Sequence, residues 1–360
     1  MWWQHEISKL GRCLRENLRT SALQWGLIFC CVFPGRVTAS EIDNWLKALD
    51  FSPAEIQSVR SGEFVEGRLP SATARELAVK IAAVLPVEPS GLRTAFHDGL
   101  ALVENPKVIA FGPLSSPVRA SDLADFDLPR KALDSWRFAK PGESINLSPA
   151  EFKALHSALD ASPTKSTQAE RIQDFVKGLL LQRTLQYQIS GLKGMASYER
   201  GPSEETRPGH ELLVATQAER ANKLLSDDDY ALLADYPDRI PEQFEERFFW
   251  AIEDGPDGVI TNLTHRFSIP HESGFVSVQR QFYVTAGYNV EQGVSLVVPF
   301  GKGSLLIYSN RTSSDQVEGF GGTLRRRVGD RLMESELEAN IRRIVKHLTA
   351  KRIPQNNEGS

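Results

Sequence analysis

The chain has 360 residues, 42 basic side chains against 46 acidic ones, a formal charge of −4 and three cysteines. An acidic balance without a basic stripe is a poor match for a phosphate backbone, so nucleic acid is not an expected partner. Cys13, Cys30 and Cys31 all lie near the start, which leaves the rest of the chain without disulfides, thiolate nucleophiles or cysteine-based zinc sites.

Residues 1–39 are expected to form a secretory signal peptide. Lys9, Arg12, Arg15 and Arg19 outweigh Glu6 and Glu16, and Ala22 to Phe33 is an apolar run of 12 residues. Pro34 and Gly35 break the run, and Val37-Thr38-Ala39 supplies small residues at the cleavage positions. Twelve helical residues reach about 18 Å, short of a hydrocarbon core of about 30 Å. The segment holds five Lys and Arg against two Glu, so the 321 residues that follow carry −7. They are long enough for a sizeable core, and a bacterial periplasm is the expected compartment.

A helical segment over 40–70 follows. Ile42, Trp45, Leu46 and Leu49 share one side of the first helix. Ser52-Pro53-Ala54-Glu55 opens the second, with Ser52 as N-cap, Pro53 at N1 and Glu55 at N3. The same start chemistry recurs at Ser148-Pro149-Ala150-Glu151. Residues 71–145 hold a strand from Leu77 to Val87, a helix from Ser90 to Asp98, a strand from Lys107 to Gly112, and a loop-like stretch from Val118 to Pro141.

The block 146–255 reads as helical from Ser148 to about Trp250, interrupted by the polar loop Gly201 to Gly209. Over 256–352 the period changes from 3.6 to 2. Val259–Ile269, Phe275–Ala286, Val294–Phe300 and Ser304–Arg311 predict four antiparallel strands, and Thr323 to Ala350 a long final helix. Its apolar stripe is Phe320, Leu324, Val328, Leu332/Met333, Leu337, Ile341, Ile344/Val345 and Leu348. Residues 353–360 are a polar tail.

The predicted class is therefore α+β, with a long helix packed across a curved antiparallel sheet and a helical insertion between early and late strands. This is a helix-grip order. The segment ELAVKIAAVLPVEPSGLRTAFHDGLALVENPKVIAFGPL (Glu76 to Leu114) and the ending Val278 to Leu348 resemble the START-like superfamily of lipid-transfer and polyketide-cyclase-type domains. The helical insertion departs from that pattern. The segments RQFYVTAGYN, YSNRTSSDQ and GFGG are similar to those of a group of uncharacterised exported bacterial proteins. The resemblance implies a cavity between sheet and final helix that holds an apolar small molecule, lipid or sterol-like, with no cofactor.

Alternation singles out two polar residues on apolar strand faces, His265 and Arg280. A buried Arg is costly unless it is paired or faces a polar ligand, so Arg280 is expected to hold a ligand head group and His265 to orient it. Tyr283, Tyr308, Asn310, Arg311 and Asp315 complete the expected ligand-binding set. A glycine cluster, Gly319 to Gly322, precedes the last helix, where Thr323 reads as its cap and Arg325-Arg326-Arg327 as a solvated face.

No metal site is expected, because the histidines are scattered and Asp227-Asp228-Asp229 reads as acids at a helix start. No G-x-S-x-G occurs. The rival class is a periplasmic hydrolase or cyclase with His265 and Asp315 as acid/base groups. The third is a non-catalytic protein that binds an envelope partner. Transient membrane contact fits a lipid carrier.

Overall fold

The structure is a computed structural model. It describes residues 37–350 apart from 143–144, 163, 202, 222, 242–243, 272–273 and 319–321. Most of the expected signal peptide, the tail 353–360 and two of the three clustered glycines, Gly319 and Gly321, lie outside the described residues, as do Phe320 and the side chains of Leu324 and Arg325 to Arg327.

Two short helices, α1 (Ala39–Ala48) and α2 (Pro53–Arg60), come first. Thr38 and Ser52 cap them, each through a reciprocal bond with a Glu three residues on. Strands β1 (Val65–Arg68) and β2 (Glu76–Leu85) follow, then helices α3 (Pro89–His97) and α4 (Leu100–Glu104) and strand β3 (Val108–Leu114).

A helical block comes next: α5 (Arg130–Arg137), α6 (Pro149–Asp160), α7 (Lys165–Ser190), the hairpin β4 (Tyr198–Gly201) and β5 (Glu204–Thr206), α8 (Pro208–Ala221) and α9 (Asp227–Ala234). Ser148 caps α6 and Ser226 caps α9, whose first turn carries all three aspartates. Five long strands then run consecutively: β6 (Glu245–Gly255), β7 (Gly258–His271), β8 (Gly274–Val284), β9 (Val290–Phe300) and β10 (Gly303–Ser313). The 29-residue helix α10 (Gly322–Ala350) ends the described chain. No described helix is long and apolar enough to cross a membrane.

The fold is thus α+β around one eight-stranded sheet in the order β1-β2-β10-β9-β8-β7-β6-β3, every pair antiparallel. The first long strand pairs with the last, while β3 closes the far edge beside β6. At about 1.5 Å per residue α10 spans about 44 Å, enough to cross several strands. It packs on β1, β2 and α4.

Alternation gives the sheet two different faces. One carries Phe248, Trp250, Ile252, Leu263 and Phe282 against α5 to α8. It continues through Phe267, Val276, Val278, Val294, Leu296, Leu305 and Ile307 against α1 and α2. The other face looks toward α10 and α3, with Ala83, Leu85, Phe275, Val297 and Leu306 meeting Leu92, Phe96, Ile341, Val345 and Leu348. The helical block therefore lines the face opposite α10, within the same compact unit as the sheet.

Three local expectations need correction. The helical reading runs through Trp250, but Glu245–Gly255 is strand β6. Its Phe-Phe-Trp-Ala-Ile core is buried on both faces, with Phe248 and Trp250 in one cluster and Phe249 and Ala251 in another. The run is therefore continuously apolar, and period 2 cannot show in it. The loop-like stretch 118–141 contains α5, whose Ala132 and Trp136 are buried, and the predicted loop 201–209 contains most of the β4–β5 hairpin turn and strand β5.

Candidate functional site

A cavity of about 950 Å³ lies between the second sheet face and α10. Its two walls differ in chemistry. The helix contributes Val328, Leu332, Met333, Leu337, Ile341 and Ile344, an i, i+4 stripe, and α4 adds Leu102. The sheet contributes Glu253 from β6, Arg266 from β7, Gln279 and Gln281 from β8, Glu291 from β9 and Tyr308 and Thr312 from β10. These are the alternate positions of strands whose apolar residues face the other way.

Tyr308 depends on its neighbour across the ladder. A Cβ on Gly293 would lie 2.5 Å from the Tyr308 Oη and 3.0 Å from its Cε2, so the ring occupies the space a side chain there would need. In that position the hydroxyl accepts a hydrogen bond from Asn310 Nδ2 (2.9 Å), and Asn310 Oδ1 accepts one from Thr312 Oγ1 (2.9 Å). Tyr288 donates to Gln281 at the end of the same wall.

Burial shifts the charged groups of this wall. The Glu291 carboxyl is pushed up to about 7, by burial first and by the nearby Glu253 carboxylate, against hydrogen bonding from Asn310, Thr312 and Gln279. Glu253 is raised by burial as well, although Asn262 Nδ2 donates to it at 2.7 Å. Burial pulls Arg266 down to about 10 and raises Tyr308. Arg266 still carries its charge at neutral pH. A concave site with a few polar groups and perturbed titration is the usual form of a ligand or active site.

The expected set of ligand-contacting residues does not converge here. Tyr308 lines the cavity, and Asn310 lies beside it as its hydrogen-bond donor. Arg280 and His265 do share a face and stand opposite each other in the β7–β8 register, as alternation predicts. That face, however, packs against the helical block rather than α10, so neither side chain reaches the cavity.

Arg280 donates to Gln292 Oε1 through Nε (3.0 Å) and Nη2 (2.9 Å), to Thr216 Oγ1 (3.1 Å), to the Leu233 carbonyl (3.0 Å) and to Tyr187 Oη (3.4 Å). His265 is stacked on Phe248 at 4.1 Å, with Nε2 3.0 Å from Glu246 and Nδ1 3.1 Å from Tyr187 Oη. Burial lowers its pKa to about 4. A neutral ring that donates from Nε2 to the carboxylate can accept from Tyr187 at Nδ1. The chain Arg280–Tyr187–His265–Glu246 thus satisfies its members from within the protein, and Tyr236 adds a further bond to Glu246 at 3.0 Å.

The remaining candidates are also engaged in structural contacts. Tyr283 lies under Arg183, whose guanidinium is 4.4 Å from the ring centroid. Arg311 bridges Glu76 (2.8 Å) and Glu219 (2.7 Å) on the helical side. Asp315 pairs with Arg200 (2.6 Å) and Arg75 (3.3 Å) beyond the end of β10.

Arg266, Glu253 and Glu291, which do line the cavity, escape a reading of the sequence because they occupy the polar half of an alternating pattern, which normally means a solvated face. Among the described residues no group of three or more His, Cys, Asp and Glu is placed to hold a metal.

No family model, curated protein or solved structure matches this chain.

Proposed function

We propose that this protein binds and carries an amphipathic small molecule between its sheet and its C-terminal helix, on a START-like helix-grip core, in the periplasm of a bacterium. The observation that carries the reading is the cavity of about 950 Å³, lined by an apolar stripe of α10 on one side and by mainly polar strand residues on the other. Ligand pockets are typically about 300–1,000 Å³, so the space suits a single lipid or sterol-like molecule lying with its polar edge on the strands. The order strand, two short helices, strand, five-strand meander and long helix, with the first long strand beside the last, supports the helix-grip reading. The helical block on the opposite face is an addition to that core.

Native mass spectrometry of the protein purified from its own envelope, followed by solvent extraction, tests carriage. A stoichiometric amphipathic ligand is expected. An empty protein that binds nothing across a lipid panel overturns the reading.

A second reading is an acid–base enzyme in the same cavity, and one observation favours it: Glu291, poised at about 7, shares the wall with the Tyr308 hydroxyl. A group titrating near the working pH is suited to proton transfer. The acid/base roles first expected for His265 and Asp315 pass to Glu291, because those two residues lie outside the cavity. Loss of turnover in Glu291→Gln with ligand binding retained selects this reading over simple carriage.

A further inference from the structure

Arg266 differs from every other deeply buried arginine in the described structure. Arg311 has two carboxylates and Arg183 has one, and Arg280 spends all three of its nitrogens on neutral acceptors. Arg266 is 5 % exposed, and among the described residues no carboxylate lies within ion-pair distance of it. Its Nη1 donates to the Phe96 carbonyl at 2.9 Å, and its Nε is buried without a partner.

A buried guanidinium with one neutral acceptor and no counter-charge at hand is expensive, and it cannot shed its proton at neutral pH to escape the cost. The two carboxyls on the same wall, Glu253 and Glu291, act on it only at longer range. The opposite wall adds a second unpartnered donor, since Arg343 Nε of α10 lines the cavity and is also buried without a partner. Tyr308 adds a hydroxyl that accepts from Asn310 and keeps its own hydrogen for an acceptor.

We propose that the cavity selects amphiphiles whose head group is an oxyanion, a carboxylate or a phosphate, and that Arg266 is the residue that holds it. This rests on the carriage reading above. Donors from the sheet and the helix then meet one anionic group, while the apolar stripe of α10 covers the tail. Arginine suits the task because its planar fork matches the paired oxygens of either head group.

Calorimetric titration of the full chain with dodecanoate, dodecyl phosphate and dodecanol, each below its micellar concentration, tests the proposal. A hydrogen bond to a charged group is worth about 1.5–3 kcal/mol, so at least one anionic probe is expected to bind about tenfold or more tighter than dodecanol. Which anion leads identifies the head group. Arg266→Gln is expected to erase the preference and keep the dodecanol affinity, whereas Arg266→Lys keeps part of the preference.

Equal binding of all three probes, or a preference that survives in Arg266→Gln, overturns the oxyanion proposal and leaves carriage standing. If none of the three binds, carriage fails with it. If Arg266→Gln does not fold, the ratio of the three probes on the unaltered chain still decides.

Discussion

Replacing Glu291 by Gln should stabilise the protein by an amount that grows as pH rises from about 4.5 to about 7. In the folded chain this carboxyl is pushed from its usual 4.5 up to about 7, chiefly by burial. The folded state therefore binds more protons than the unfolded state between those two values, and stability falls as pH rises across that window. Once the pH exceeds about 7 the loss is complete.

At 1.36 kcal/mol per unit the shift corresponds to about 3 kcal/mol, an upper figure because water in the cavity solvates part of the ionised carboxylate. Glutamine has nearly the same shape and cannot ionise. Glu291→Gln should match the parent near pH 4 and exceed it by up to about 3 kcal/mol at pH 8. Urea denaturation followed by tryptophan fluorescence at pH 4, 5, 6, 7 and 8 measures the difference. A gap that does not change with pH, or a variant less stable than the parent at pH 8, refutes the burial argument.

His265 should impose the opposite slope: its pKa is lowered from 6.5 to about 4 by burial, so the unfolded state binds more protons between those values and stability rises with pH there, by about 3 kcal/mol. His265→Asn should remove that rising limb from the same urea series, and a limb that persists would assign it to another group. Gly293→Ala should cost about 1–3 kcal/mol, because the new Cβ lies 2.5 Å from Tyr308 Oη and must displace the ring from its bond with Asn310. A urea midpoint unchanged from the parent would mean that the ring yields freely. Arg311→Met should cost about 3–5 kcal/mol at pH 7, since it strands the buried Glu219 carboxyl without its cation. A loss below about 1 kcal/mol would show that the pair contributes little more than its apolar replacement.

The late strands and the final helix are legible because their patterns are clean. Val259–Ile269 alternates along its whole length, and the Val328–Leu348 stripe keeps helical spacing. Strand β6 is hidden because both of its faces are buried, and β1 because four residues are too few for a period to register. The larger misplacement concerns faces. Alternation shows which residues point together, so Arg280 and His265 are correctly grouped, but it does not show which layer covers which face. A cavity assigned to the apolar face was a natural expectation for a sheet with one covering helix. Here a second helical layer claims the apolar face, and the polar one is left beneath α10. That allocation depends on contacts between segments far apart in the chain, which local patterns do not carry.

The eight-stranded sheet is a partition between two sets of residues that answer to different demands. Odd and even positions of the same strand serve opposite sides, one closed by tight packing and buried ion pairs, the other open to a space that water or a guest can fill. Apart from positions such as Glu291 and Gly293, where a buried charge or a close approach is at stake, substitutions on the open side remove few packing contacts, so their effect on folding is small. The residues that choose a guest can therefore diverge among descendants of this chain while those that hold the scaffold stay fixed. New specificities would arise by exchanging every second residue of β7 to β10, with the other half of each strand left as it is.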